Sequence, residues 1–134
     1  INAPLLKNEK EKFVKVDKKG LTAITNYTLI TTNKKYSLLK VNILTGRTHQ
    51  IRVHTSYINH PIVNDDKYGD FKLNKEFEAE FKYKYQFLHS YKISFSNVKG
   101  ALSYLNNKTF KAPLKNKQIE ILTNIFTNLS LDEI

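Results

Sequence analysis

One ten-residue segment, Thr45–His54 (TGRTHQIRVH), carries the residue types best suited to chemistry. The chain has 20 lysines but only two arginines, Arg47 and Arg52, and both lie in this segment. A planar guanidinium group makes paired hydrogen bonds to phosphates and carboxylates that a lysine cannot make. A glycine turn that opens a helix adds backbone N–H groups that attract anions. The segment therefore predicts a site for a phosphate or a carboxylate, the alternative being ordinary residues at a helix start.

The charge around this segment indicates a polyanion as the partner. The net charge is +10, and residues 21–64 contain five lysines and arginines but no Asp or Glu. Such a face attracts nucleic acid or an anionic membrane surface, and the attraction depends strongly on salt. Most of the lysines are equally consistent with an ordinary solvated surface.

The composition excludes several other kinds of site. The chain has no cysteine, which rules out disulfides, thiolate zinc sites and a cysteine nucleophile. His49 and His54 are five residues apart and point away from each other on a helix, so they do not predict a metal site. The sequence has neither a glycine-rich phosphate loop nor a G-x-S-x-G motif. The charge-free stretch at 20–33 is too short and too polar to span a bilayer.

Apolar spacing predicts a helix over Thr48–Ile58, and this helix presents the arginine segment. We expect Thr45 or Thr48 to cap its start, and we expect it to end at His60–Pro61 because proline disfavours helix in the residue before it. The sequence before this helix is typical of strands. It predicts a short strand at 13–16, a turn at 18–20, and a long hairpin from strands at 21–32 and 36–44 joined by a turn at 33–35.

The sequence after the helix predicts a loop at Asp65–Asp70 and a short, exposed, charged helix at 74–82. Strands are expected at 87–95 and 109–111. A last helix is expected over Lys117–Leu129, and its inner face would carry three apolar residues, Ile121, Ile125 and Leu129. This order predicts the α+β class, with a mainly antiparallel mixed sheet and flanking helices.

The arginine segment, the His60–Pro61 pair after it and the run Asp66–Gly69 (DKYG) together resemble the signature of the RluA-type pseudouridine synthases. Three shorter matches support the resemblance, APLLK at 3–7, FLHS at 87–90 and KAP at 111–113. Their order and spacing fit over essentially all 134 residues. The opening and the run after His60 are most similar to the members that modify large-subunit ribosomal RNA.

The resemblance implies an isomerase that converts a chosen uridine in tRNA or rRNA to pseudouridine, without cofactor or metal, after flipping the base into a pocket. The family's catalytic aspartate lies in an H-R-L-D motif, and Arg52 matches the arginine that pairs with it. The implied substrate-binding residues, which line the pocket rim or support its helix, are Arg47, Thr48, His49, Gln50, His54 and, as an apolar pocket residue, Leu88.

The chain departs from the family at one decisive point, because it contains no H-R-L-D motif. We therefore expect residues 1–134 to be the C-terminal portion of the catalytic domain, with the catalytic aspartate before Ile1 and the isolated chain inactive. The expected partner is RNA, in particular large-subunit ribosomal RNA. The expected setting is cytoplasmic, with no membrane partner and a monomer when the protein is full length. The alternative is a basic RNA-binding remnant without catalysis.

Overall fold

The computed structural model describes residues 1–130 and residue 132, and the chain divides into two compact units, Ile1–Phe87 and Leu88–Ile134. The first unit begins with an antiparallel pair of short strands, β1 (Leu5–Asn8) and β2 (Phe13–Val16). The strand predicted at 13–16 is confirmed, whereas β1 was not predicted. One residue from each strand lies in the buried core cluster, whose members are Leu5, Val14, Ala23, Val53 and Tyr68.

The predicted hairpin is confirmed as β3 (Thr25–Thr32) and β4 (Ser37–Ile43), paired antiparallel. Its turn forms because the side chain of Asn33 accepts hydrogen bonds from the backbone N–H groups of Lys35 and Tyr36. Strand β3 begins at Thr25, four residues after the predicted start at residue 21. Residues 21–24 make only isolated bridges, from Leu21 to Leu5 and from Ile24 to Asn2.

Helix α1 (Gln50–Tyr57) confirms the helix predicted at 48–58, but the predicted caps are wrong. The N-cap residue is His49 in the left-handed region at φ 54°, with no side-chain cap bond. Thr45 and the backbone N–H of Arg47 instead donate to the side-chain oxygen of Gln50, at 2.8 and 3.0 Å. The first buried residue of the helix, Gln50, therefore organises the turn, and Thr45 bonds to this side chain instead of capping the helix.

Helix α2 (Phe71–Phe81) begins three residues before the predicted start, because Asp70 caps it by accepting from the N–H of Leu73. The prediction that this helix is exposed is wrong for one residue. Phe77 is 1% exposed, and its ring contacts the rings of Tyr36, Phe81 and Phe87. Phe77 is thus the buried residue of this helix, and its ring provides the packing contact.

The second unit contains an antiparallel ribbon of β5 (Lys92–Ser94) and β6 (Thr109–Lys111), a short 3₁₀ helix at Gly100–Leu105, and helix α3 (Asn116–Ile125). The strand predicted at 109–111 is confirmed. The one predicted at 87–95 shortens to the three residues that β6 can pair with. Helix α3 ends before Leu129, which is half-buried outside it, while Ile121 is buried as predicted.

The α+β class is confirmed, but the expectation of one mixed sheet is wrong for the described residues. The six strands form three separate two-stranded antiparallel pairs, because each strand bonds only to its neighbour along the chain. Within residues 1–130 and 132, no helix is long and apolar enough to cross a membrane.

Candidate functional site

Arg52 of α1 is held by a carboxylate of this same chain. Its Nε lies 2.7 Å from Oδ2 of Asp65, and its Nη2 lies 2.8 Å from Oδ1 of Asp65 and 3.0 Å from Oδ1 of Asp66. The Asp65 side chain is 0% exposed, that of Arg52 is 17% exposed and that of Asp66 is 93% exposed. The hydrogen bonds to Asp65 are the main reason that the pKa of Arg52 is raised. The paired geometry fixes the plane of the guanidinium group.

Asp65 in turn is fixed by groups other than Arg52. Its carboxylate accepts from the backbone N–H groups of Lys67 and Tyr68, at 2.9 and 2.8 Å, and from Nε2 of Gln86 at 3.1 Å. Burial raises the pKa of Asp65, but the hydrogen bonds from Arg52, Tyr68 and Lys67 lower it more, so the pKa lies below the ordinary value of 3.8. The carboxylate is therefore ionised at neutral pH despite its burial.

The loop that carries Asp65 is tightly packed. A Cβ atom added to Gly69 would lie 2.2 Å from the carbonyl oxygen of Asp65, so only glycine fits this position. The same carbonyl accepts from Nδ2 of Asn74 at 2.9 Å, and Asn64 adopts a positive φ of 59°. The turn thus brings an acidic residue 13 positions after Arg52 back onto the helix.

Tyr68 joins the Arg52 pair to the first strands. Its hydroxyl oxygen accepts from the N–H of Val14 at 3.0 Å and lies 2.9 Å from Nδ1 of His49. The bond from Val14 leaves the hydroxyl proton available to Nδ1, in the tautomer of the neutral His49 ring whose proton is on Nε2. Burial first, and then the positive charges of Arg52 and Lys67, lower the pKa of His49. Arg52 also lies over the Tyr68 ring, with Cζ 5.2 Å from the centroid.

Two of the implied substrate-binding residues lie in the interior. Gln50 is 3% exposed, and its Nε2 donates to the carbonyl of Ile24 and to Oγ1 of Thr25, both at 3.0 Å. His54 is 0% exposed, with Nδ1 2.8 Å from Oγ1 of Thr25 and Nε2 2.8 Å from the carbonyl of Ala3. Burial lowers the pKa of His54, partly opposed by the bond to Ala3. Both side chains bond α1 to residues at or next to the first strands, as expected for residues that support the helix. Because both are buried, neither side chain lies at a surface.

The remaining implied residues are accessible. Arg47 and Thr48 are exposed and His49 is half-buried, all at the start of α1. Nε of Arg47 donates to the carbonyl of Thr22 at 2.9 Å, which orients the guanidinium group. Leu88 is 40% exposed and belongs to the second unit. Residues 1–130 and 132 contain no cluster of three or more histidine or acidic side chains that could hold a metal ion.

Sequence reasoning missed the roles of Asp65, Tyr68 and Gln86. One signal pointed to Asp65, because Asp65 and Asp66 are the first acids after the acid-free run at 21–64 and are thus the nearest downstream partners for an arginine. Nothing in the sequence separates Asp65 from Asp66. Their 0% and 93% exposed side chains result from the fold of the loop.

The family model and three curated relatives that match this chain are all named as pseudouridine synthases. The family model for RNA pseudouridylate synthase matches residues 1–57. Ribosomal large subunit pseudouridine synthase C of Vibrio cholerae is 42% identical over 95 residues, which cover 71% of this chain and 30% of that protein. The proteins of the same name from Haemophilus ducreyi and Haemophilus influenzae are 43% and 38% identical, covering 75% and 86% of this chain and 32% and 36% of theirs. The chain thus spans about a third of the length of the curated relatives it matches.

Proposed function

The chain belongs to the RNA pseudouridylate synthase family, and on that premise we propose that it forms the C-terminal part of an RNA pseudouridine synthase. The proposed substrate is a uridine of large-subunit ribosomal RNA, in keeping with the names of the relatives. The enzyme breaks the bond from the ribose to the base nitrogen and rejoins the ribose to a base carbon. It uses no cofactor, and it acts in the cytoplasm as a monomer.

The observation that carries this proposal is the geometry of Arg52. Asp65 occupies Nε and Nη2, whereas Nη1 makes no hydrogen bond to any group of residues 1–130 and 132. The guanidinium group therefore keeps Nη1 for a second carboxylate, on the edge where Nη2 already donates to the exposed Asp66. In the proposed site this is the catalytic aspartate, which is supplied from outside this chain. A fixed and permanently charged guanidinium group keeps such a carboxylate ionised and oriented.

Asp65 is not a candidate for the nucleophile. It is fully buried, and its two oxygens accept five hydrogen bonds from Arg52, Lys67, Tyr68 and Gln86. An attacking carboxylate must reach the substrate, and a side chain without exposed surface cannot do so. This burial supports the assignment of the catalytic aspartate to another part of the protein.

The RNA-binding role is assigned to the accessible residues at the start of α1. Arg47, Thr48 and His49 contact the phosphates near the target uridine. Leu88 keeps the apolar substrate-binding role that the family resemblance implies. We assign Gln50 and His54 to the support of α1, because the polar atoms of both side chains are bonded inside the fold.

The test is an assay of the full-length protein that contains this chain, with transcribed large-subunit ribosomal RNA as substrate and the pseudouridine content as the readout. Pseudouridine formed by the full-length protein, but not by residues 1–134 alone, is the expected result. RNA binding by the full-length protein without any pseudouridine would instead favour the non-catalytic remnant. Turnover by residues 1–134 alone would refute the location of the nucleophile.

A further inference from the structure

A second acid-free run lies in the other half of the chain. Residues 81–119 contain eight lysines and no Asp or Glu. Six of these lysines belong to the second unit, where they come before the first acid, Glu120. The carboxylate of Glu120 lies 2.9 Å from Nζ of Lys117. The positive charge on the ribbon of the second unit is therefore not neutralised by nearby acids in the sequence.

The register of the ribbon places two of these lysines side by side. Lys92 of β5 is directly opposite Lys111 of β6. Ser94 is opposite Thr109, and their hydroxyl oxygens are 2.8 Å apart. Because alternate residues of a strand share a face, these four residues form one polar face, which we call the lysine face.

This arrangement is unfavourable for the protein alone. Like charges directly opposite each other on paired strands repel and destabilise the pair. Both lysines are exposed, and neither has an ion-pair partner among the residues that the structure describes. A bound anion would relieve the repulsion. One hydroxyl of the Ser94–Thr109 pair donates to the other, and the second hydroxyl keeps its proton for the same anion.

We propose that the lysine face binds the phosphate backbone of RNA, as a contact additional to the one at the start of α1. The choice of RNA as the polyanion rests on the proposed function. A membrane surface fits less well, because peripheral binding to lipid combines lysines with apolar side chains that insert beside them. Here the apolar residues of the ribbon, Ile93 and Phe110, lie on the opposite face.

The test compares the full-length protein with its Lys92→Gln/Lys111→Gln variant. The affinity for a fluorescently labelled fragment of large-subunit ribosomal RNA is measured by anisotropy over a series of salt concentrations. In the variant, the affinity at low salt falls. The slope of log affinity against log salt becomes shallower by about 1.4, because each single-strand phosphate that a lysine no longer neutralises reduces it by about 0.7. The thermal midpoint is not lowered, because the substitution removes a repulsion.

A matched control removes the same charge from a different element. Lys72 and Lys75 are exposed on α2, so Lys72→Gln/Lys75→Gln has the same net charge as the test variant. The salt slope of this control is expected to stay close to that of the unaltered protein. An equal change in the control would show that only net charge matters, and it would overturn the proposal.

Two further outcomes would also overturn it. One is an unchanged slope in Lys92→Gln/Lys111→Gln. The other is an unchanged RNA affinity together with a loss of binding to vesicles that contain phosphatidylglycerol. The readout is affinity and does not require turnover. If the unaltered full-length protein forms no pseudouridine but the slope still becomes shallower in Lys92→Gln/Lys111→Gln, the proposed function alone is refuted. If the unaltered protein turns over normally but the slope does not change in the variant, this inference alone is refuted.

Discussion

Arg52 and Asp65 form a buried pair in which each partner is fixed by further contacts. Two hydrogen bonds of 2.7 and 2.8 Å join them, and Asp66 adds a third from the solvent side. Desolvating two charges is costly, and only good geometry and additional hydrogen bonds compensate for it. Both conditions hold here, since backbone N–H groups and Gln86 satisfy the remaining lone pairs of Asp65. The result is a rigid guanidinium group whose Nη1 makes no hydrogen bond within the residues that the structure describes.

Arg52→Lys in the full-length protein is expected to reduce pseudouridine formation by about a hundredfold or more. This is the typical effect of removing one preorganised hydrogen-bond donor from an active site. An ammonium group is a single point charge and cannot hold two carboxylates in one plane. Pseudouridine content after a timed reaction measures the effect, and circular dichroism checks that the variant is folded. A folded variant with near-normal turnover would refute the pairing role.

Asp65→Asn is expected to lower the free energy of unfolding by about 3–5 kcal/mol, because it leaves the charge of Arg52 without its buried partner. The matched control is Asp66→Asn, whose side chain is 93% exposed and which is expected to change stability little. Urea unfolding of both variants measures the difference. Equal effects of the two substitutions would contradict the distinction between the buried and the exposed acid.

Helix α1 is positioned by two buried polar side chains in addition to its apolar face. Gln50 and His54 both bond to Thr25 at the start of β3, and His54 also bonds to the carbonyl of Ala3. Since the carbonyl of Ala3 can only accept, Nε2 of the neutral His54 ring carries the proton, and Nδ1 accepts from the hydroxyl of Thr25. This neutral ring has no site for a second proton without breaking a bond.

The stability of the first unit is therefore expected to fall in mild acid. The pKa of His54 in the folded state lies below the ordinary value of 6.5 because the ring is buried. Below about pH 6.5 the unfolded chain takes up a proton that the folded chain resists, so stability is complete above that pH and declines below it. The decline is at most about 1.4 kcal/mol per pH unit for one proton. His49, whose pKa is also lowered, adds in the same direction.

Urea unfolding between about pH 8 and about pH 5 measures this decline. His54→Gln is expected to reduce the slope, although the variant is less stable at every pH. A slope that survives in His54→Gln would show that other groups cause the pH dependence.

The loop after α1 depends on a glycine for space, not for a special backbone angle. Gly69→Ala is expected to lower the free energy of unfolding by about 1–3 kcal/mol, since the new Cβ would overlap the carbonyl oxygen of Asp65 at 2.2 Å. Gly46→Ala is the control, because a Cβ at Gly46 meets nothing within 4 Å. Urea midpoints of the two variants distinguish them. A tolerated Gly69→Ala would mean that the loop can shift without loss.

Across the described residues, many large apolar side chains remain exposed to solvent. Large apolar side chains are exposed on the hairpin and on the ribbon, among them Tyr27, Leu29, Ile43, Ile93 and Phe110. The strands form three separate pairs in the described residues, and the curated relatives are about three times as long as the matched region. These features agree with the proposal that the catalytic domain includes chain beyond these residues.

Much of the local structure follows from the sequence. Period-two alternation and polar turns located the hairpin, and apolar spacing located α1 within two residues at its start. Capping was predicted less well, because Thr45 bonds to the side chain of Gln50 in the helix, and His49 bonds to Tyr68, which lies 19 residues further along the chain. The extent of the strand at 87–95 also failed, since a strand extends only as far as its partner pairs with it.

The candidate site, like the fold, was predicted only in part from the sequence. The rarity of arginine and the TGRTHQIRVH motif identified Arg47 and Arg52 and the family, because these are properties of residue type and order. Spacing could not reveal that His54 and Gln50 are buried, or that Asp65 and not Asp66 forms the paired contact with Arg52. Burial and hydrogen-bond geometry depend on which distant segments pack together, and a loop closed by Gly69 brings the acid to the arginine.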